Sequence, residues 1–447
     1  MPANALNKRV RCHDALHFRN PLAKLHMKFS PGGVMAVVES RKRSAPFAAY
    51  LVIVAGWFFG FGLQTTLFPG IVYFTLTDST PQQLGIAQMA LTAPMLFLLP
   101  AAGVLAERRG RRRILIIFYA LAAVCAAILG GLLVAGLLSY WLLLVYAIAV
   151  GTCGAFVLPA RDSAINNVVD IANRSGRPLT LQKAVVIASL VQFAGQITGM
   201  GVGYLARWTG PGPLLFLQAG GFLIGVIATV GLPRLKAKRS GDTHALQDLV
   251  EGIRTVLQSP VIASMTGVMV AVGFFVVGGA FFVVIPVLVR DVYGAGYGTL
   301  SSLLVVFWVG AFIANALLAK LSHIERPGRA VMLAQLVTVI SLGGLALPIP
   351  LEGLYALDFF WGLGAGVAIS LSRSVVQENA PTEMLARVMS VYQLGLFGGM
   401  PAGAAMMGFV VAALGPRESV LIPMVGLAIV LTLISIFTPI LSVRRKS

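Results

Sequence analysis

Twelve apolar runs, each about as long as a bilayer is thick, constrain this chain more than any other feature. They lie near 48–73, 83–106, 114–137, 140–168, 183–207, 213–233, 260–289, 298–321, 329–349, 354–378, 386–413 and 419–441. A membrane helix needs about 20 mostly apolar residues to cross roughly 30 Å of hydrocarbon. Only helices satisfy their own backbone groups in lipid without closing a barrel, and these runs are too long and continuous for the alternating strands of one. Of the 447 residues, 57% are hydrophobic and 11% charged, and the mean hydropathy is +0.87. An ordinary soluble domain carries about 25% charged residues, so too little polar surface is left to coat a soluble core. The expected class is an all-α integral membrane protein of twelve transmembrane helices, numbered 1 to 12 in chain order.

The basic residues set the expected topology. Of 34 Lys and Arg, 31 fall in 1–45, 108–113, 161–183, 234–254, 320–329, 444–446 and at Arg373 and Arg387; only Arg207, Arg290 and Arg417 lie in the alternate loops. Basic loops stay cytoplasmic, which places both termini inside and the chain in the plasma (inner) membrane. The net charge of +18 is then a topology signal. Its charges are spread over short loops instead of gathered on one face, so no nucleic-acid partner is expected. The three cysteines, Cys12, Cys125 and Cys153, read as free thiols with no metal spacing.

The longest polar interruption, 234–259, opens basic and continues with Leu246, Leu249, Val250, Ile253 and Leu257 at helical spacing. It reads as a short amphipathic helix on the cytoplasmic face. The linker divides a six-helix bundle at 46–233 from another at 260–443, followed by a basic tail at 444–447. Residues 1–45 read as a disordered basic tail, with Met35 as an alternative start. The halves echo each other weakly: 199–211 and 399–416 share a glycine-rich start and a Gly-Pro end, and 158–169 and 370–381 share an Arg followed by polar residues. Two bundles of equal orientation make parallel repeats, with a site between them near mid-membrane.

Between helices 2 and 3 stands GVLAERRGRRRIL, residues 103–115. Gly110 permits a sharp turn, Glu107 at the membrane boundary needs a partner, and the arginines anchor the loop at headgroups. This run resembles the loop 2–3 motif of the major facilitator superfamily: Gly103, Leu105, Ala106, Arg108, Gly110, Arg111 and Leu115 match, with Glu107 where the family usually has Asp. A second stretch, 375–415, resembles the enterobactin-exporter and macrolide-efflux branch through Gln377, Pro381, Arg387, Val388, Ser390, Pro401 and Gly403. The resemblance implies two pseudo-symmetric six-helix bundles, a monomer moving a small molecule, and Glu107 acting on Arg387 or on the start of helix 11. Two positions depart from the antiporter pattern: Met200 stands where Pro is frequent, and no Arg occupies the middle of helix 4.

In the family fold, helices 1, 4, 7 and 10 line the cavity. Helix 1 aligns Trp57, Phe61, Gln64 and Phe68; helix 7 aligns Phe274, Gly278, Phe281 and Ile285. Such aromatic-plus-amide walls suit a bulky, partly apolar solute, or serve ordinary packing. Gln192 and Gln196, one turn apart on helix 5, either bind solute or tie helix 5 to helix 8 through Asn315. Asp358, within a hydrophobic span and near Trp361, is the candidate for proton coupling; its alternatives are an outer-gate carboxylate or one reaching headgroup water. Arg161 and Asp162 on helix 4, and Arg373 and Glu378 on helix 10, make quasi-equivalent inner-gate pairs, or snorkel to phosphates.

No phosphate-binding G-x-x-x-x-G-K-[ST] loop, metal-spaced His cluster or G-x-S-x-G nucleophile occurs, so neither cofactor, metal nor enzymatic activity is expected. The reading is a secondary transporter exporting a small drug-like or siderophore-like amphipathic solute by proton antiport. An importer or lysolipid flippase of the same fold is the alternative; a non-transporting receptor or a membrane-embedded acyltransferase would be another class.

Overall fold

The computed structural model describes residues 31–76, 78–174, 179–232, 245–321 and 324–443, with side chains from Pro46 onward apart from 100, 103–104, 106–109, 245–246 and 382. Contacts divide the chain into residues 1–44, of which 31–44 are helical, and residues 45–447.

Among the described residues, twelve helices are long and apolar enough to cross a membrane. They are helix 1 (Pro46–Thr75), helix 2 (Pro81–Arg109), helix 3 (Arg111–Val134), helix 4 (Tyr140–Arg174), helix 5 (Leu181–Thr209) and helix 6 (Pro211–Val230). After a linker helix, Ala245–Gln258, come helix 7 (Pro260–Val292), helix 8 (Tyr297–Lys320), helix 9 (Pro327–Leu345), helix 10 (Leu351–Asn379), helix 11 (Leu385–Leu414) and helix 12 (Glu418–Phe437). The face carrying the Lys/Arg-rich loops is called the basic face, and the other the far face.

Local chemistry fixes several ends. Pro81, Pro211, Pro260 and Pro327 stand in first turns, where a missing N–H costs nothing. Thr80 accepts from the Gln83 amide while Gln83 returns the bond, a complete capping box. Helix 2 stops at Gly110, whose φ of +87° suits a residue without a Cβ.

Helix 7 departs from the α spacing. It is π-wound over Val272–Val284 and again over Leu288–Val292. Pro286 lies between, and its ring crowds the carbonyl four residues back, a strain that wider turns relieve. The alignment of Phe274 with Phe281 therefore fails. The Phe274 carbonyl lies against Gly403 of helix 11, while Phe281 turns to helices 8 and 10.

Glycines let backbones approach. Gly62 meets the Gln196 carbonyl and Gly199 the Phe59 carbonyl, joining helices 1 and 5; Gly85 and Gly408 join helices 2 and 11 across the bundles. The apolar core is divided unevenly. One cluster runs through the second bundle into the far half of the first, including Leu63, Phe68, Leu84 and Leu214. The basic-side half of the first bundle, with Ile53, Trp57, Tyr119 and Phe222, forms a separate cluster. The two bundles share a core toward the far face and have separate cores toward the basic face.

Candidate functional site

The closure at the far face is built from the ends of helices 1 and 7. Helix 1 finishes in a π-turn, Ile71–Thr75, which carries Tyr73 toward helix 7. The Tyr73 hydroxyl donates to Asp291 Oδ2 at 2.6 Å. Arg290 lies 4.5 Å over the Tyr73 ring, donates to the Tyr73 carbonyl at 2.5 Å and stands 3.6 Å from Asp291. Beside it, Thr75 Oγ1 and the Tyr297 hydroxyl share a hydrogen bond of 2.7 Å, with Tyr297 packed on Gly70. Sequence reasoning missed Tyr73, Asp291, Thr75 and Tyr297. The available signal was the adjacent Arg290-Asp291 pair, in loops otherwise almost free of Lys and Arg.

Below this closure helix 5 meets helix 8. The Ser301 hydroxyl donates to the Met200 carbonyl, and Phe193 contacts Trp308 at 6.0 Å and Phe312 at 6.1 Å. Gln196 is buried, and neither its Nε2 nor the Trp308 Nε1 has a hydrogen-bond partner among the described residues. Gln192 is half-buried. Asn315 does not join these glutamines: it donates to Ala311 and accepts from Ser370, tying helix 8 to helix 10.

The helix 1 stripe turns mainly into its own bundle. Trp57 lies 5.2 Å from both Tyr119 and Phe222, on helices 3 and 6. Gln64 Oε1 accepts from the Tyr146 hydroxyl at 2.5 Å and Gln218 Nε2 at 2.7 Å, and Phe68 stacks toward Tyr146 at 6.2 Å. Phe61 is half-buried against Phe58. In the second bundle Phe281, Phe307 and Trp361 form a three-ring cluster with centroids 4.8–5.9 Å apart. Asp358 is 2% exposed, and its Oδ2 has no hydrogen-bond partner among the described residues.

At the basic face, helix 4 continues to Arg174, so Arg161 lies well inside it and not at its end. Only 5% exposed, Arg161 sits 4.6 Å over the Phe58 ring. It grips Asp162 Oδ1 through Nε at 3.0 Å and Nη2 at 2.6 Å, while Nη1 is buried without a hydrogen-bond partner among the described residues. Asp162, Asn166 and Asp170 form an exposed polar row along helix 4, and Arg373 and Gln377 another along helix 10. Glu378 accepts from Ser374 at 3.0 Å.

Arg387 pairs with Asp248 at 2.5 Å and with Glu251, both on the linker helix. The side chains of Glu107 and Arg108, expected in this network, lie outside the described residues. Arg111 Nε is buried and has no hydrogen-bond partner among the described residues. Arg112 instead donates to the Thr229 carbonyl at 3.2 Å and the Val230 carbonyl at 2.5 Å, covering carbonyls that helix 6 leaves open.

A family model described as Major Facilitator Superfamily matches residues 47–404. The chain is 26% identical over 362 residues to the enterobactin exporter EntS of Escherichia coli, covering 79% of this chain and 83% of that protein. The Escherichia fergusonii protein of the same name matches equally. Among solved structures, the nucleoside transporter NupG superposes with a TM-score of 0.70 at 11% identity, covering 88% of this chain and 98% of that one. The D-xylose-proton symporter superposes at 0.67 and 14% identity, covering 88% and 98%. A bacterial homolog of the human lysosomal transporter Spinster gives 0.66 at 16%, covering 91% and 98%.

Proposed function

Because the chain belongs to the major facilitator superfamily, whose members are multi-pass transporters and not enzymes, we propose that it exports a small amphipathic, siderophore-like or drug-like solute by alternating access, driven by proton exchange. The observation that carries the alternating-access reading is the divided core. The bundles merge at the far face and have separate cores at the basic face, while polar rows on helices 4 and 10 stay exposed there. The divided core supports a pathway that opens toward the basic face. The lysine and arginine bias assigns that face, and both termini, to the cytoplasm.

Direction rests on likeness to EntS across both halves. Solute contacts fall to Gln196, Trp308 and Phe312, where buried donors await a partner between helices 5 and 8. Asp358 is the proton site: a carboxyl in an apolar bundle, without a counter-charge among the described residues, gains or loses a whole charge on exchanging one proton. Arg161, Asp162, Arg373, Glu378 and Arg387, with Glu107 and Arg108, form the gate on the basic face, and the chain works as a monomer.

Uphill movement of a siderophore-like or drug-like solute in everted vesicles, with an imposed pH gradient, tests this. Gradient-driven accumulation is expected, and Asp358→Asn is expected to abolish its gradient dependence while retaining downhill flux. Gradient-independent transport by the unaltered protein overturns proton exchange. Accumulation only in right-side-out vesicles overturns export.

A further inference from the structure

The linker helix Ala245–Gln258 presents three faces, each to a different environment. At 100° per residue, Asp248, Gly252 and Val256 share the side turned to helix 11. Gly252 packs on the Arg387 carbonyl and Val391, and Val256 is buried. On a second side Val250, Ile253 and Leu257 are 61%, 41% and 72% exposed, and among the described residues nothing covers that row. The third carries exposed Gln247, Glu251 and Gln258. Arg254 stands between the second and third. Only Ser259 separates the helix from Pro260, the first residue of the apolar helix 7.

We propose that this helix is a membrane-surface strut: its Val250, Ile253 and Leu257 row lies in the acyl–headgroup boundary of the leaflet on the basic face, while Asp248 and Glu251 hold Arg387, so the lipid surface fixes the start of helix 11. The occupant follows from three observations. Continuity with helix 7 leaves the linker helix at the membrane boundary. An apolar row flanked by a basic residue is the pattern of helices that lie in that boundary. The segment leading into it carries Arg234, Lys236, Lys238 and Arg239, which anionic headgroups attract. A helix resting on lipid alone would have no need of acids. Here both acids are spent on one arginine, 2.5 Å from Asp248, which transmits the helix position to helix 11.

The test uses the full chain with native cysteines replaced by serine, in liposomes of phosphatidylethanolamine and phosphatidylglycerol. Single nitroxide labels at Val250→Cys, Ile253→Cys and Leu257→Cys should collide several-fold more often with oxygen than with a nickel chelate. Labels at Gln247→Cys and Gln258→Cys should show the reverse. Asp248→Asn combined with Glu251→Gln should leave the Val250→Cys label immersed but increase the mobility of a label at Ser390→Cys on helix 11. Three results overturn the proposal: nickel access along the apolar row equal to that at 247 and 258; shielding of the row from both reagents, which means a protein surface or second copy covers it; and unchanged mobility at Ser390→Cys in the double variant. The label scan needs no charge variant, so it stands even where the double variant fails to fold.

Discussion

The two faces hold their charged residues in different ways. At the far face the partners come from different bundles: Tyr73 of helix 1 binds Asp291 and Arg290 of helix 7. At the basic face Arg161 holds its chain neighbour Asp162, and Arg387 holds the linker helix. The sharpest contrast is in burial of the guanidinium. Arg290 and Asp291 side chains are 38% and 37% exposed, whereas in the Arg161–Asp162 pair the arginine is 7% and the carboxylate 56% exposed. A closure that opens every cycle has to be assembled from bonds worth little singly, and exposed ion pairs contribute about 0–1 kcal/mol. A buried guanidinium, by contrast, is costly to strip of its counter-ion, by several kcal/mol.

Fastening the far closure is the strongest way to break this comparison. Thr75→Cys with Tyr297→Cys replaces two hydroxyls that share a 2.7 Å hydrogen bond. A short bifunctional thiol reagent across that pair should reduce flux to background, while a cysteine at Asn166 on the exposed row of helix 4 remains open to alkylation from the basic face. Continued transport by the cross-linked protein would mean that the contact is not part of the cycle.

The two ion pairs then allow a graded test. Asp162→Asn leaves a buried guanidinium without a counter-charge, a loss of about 3 kcal/mol at the lower end for buried pairs, since the carboxylate itself is 56% exposed. Asp291→Asn removes an exposed partner and should cost about 1 kcal/mol or less. Thermal unfolding in detergent measures both. Equal losses would erase the distinction between a strongly held pair and a weakly held one.

Much of the architecture was legible in the sequence because lipid enforces it: each span must be long, apolar and helical whatever it packs against. The loop motif at 103–115 carried the family for a similar reason, since a sharp glycine turn between basic residues is a local pattern. The site was less legible because a helical stripe does not name its neighbour. Trp57, Gln64 and Phe68 do share a face, but that face meets Tyr119, Tyr146, Gln218 and Phe222. Helix 7 defeated spacing itself, because π winding moved Phe281 away from Phe274. Pairings such as Tyr73 with Asp291, 218 residues apart, leave no local trace.

The smallest expected effect examines one hydrogen bond. Tyr73→Phe keeps the ring beneath Arg290 and removes only the donor to Asp291. A hydrogen bond at this partly exposed site contributes about 0.5 kcal/mol, the lower end for such bonds, roughly twofold in the ratio of closed to open molecules if all of it serves the closure. The readout is the rate at which a membrane-impermeant maleimide, added at the far face, alkylates Val305→Cys, beside Gly201 in the helix 5–helix 8 contact. That rate should rise by up to this factor with Tyr73→Phe. In an Asp291→Asn background the same substitution should add much less, because residues sharing one bond are not additive. Full additivity would show that Tyr73 and Asp291 act separately, and that the far closure depends on the stacking of Arg290 over the ring instead.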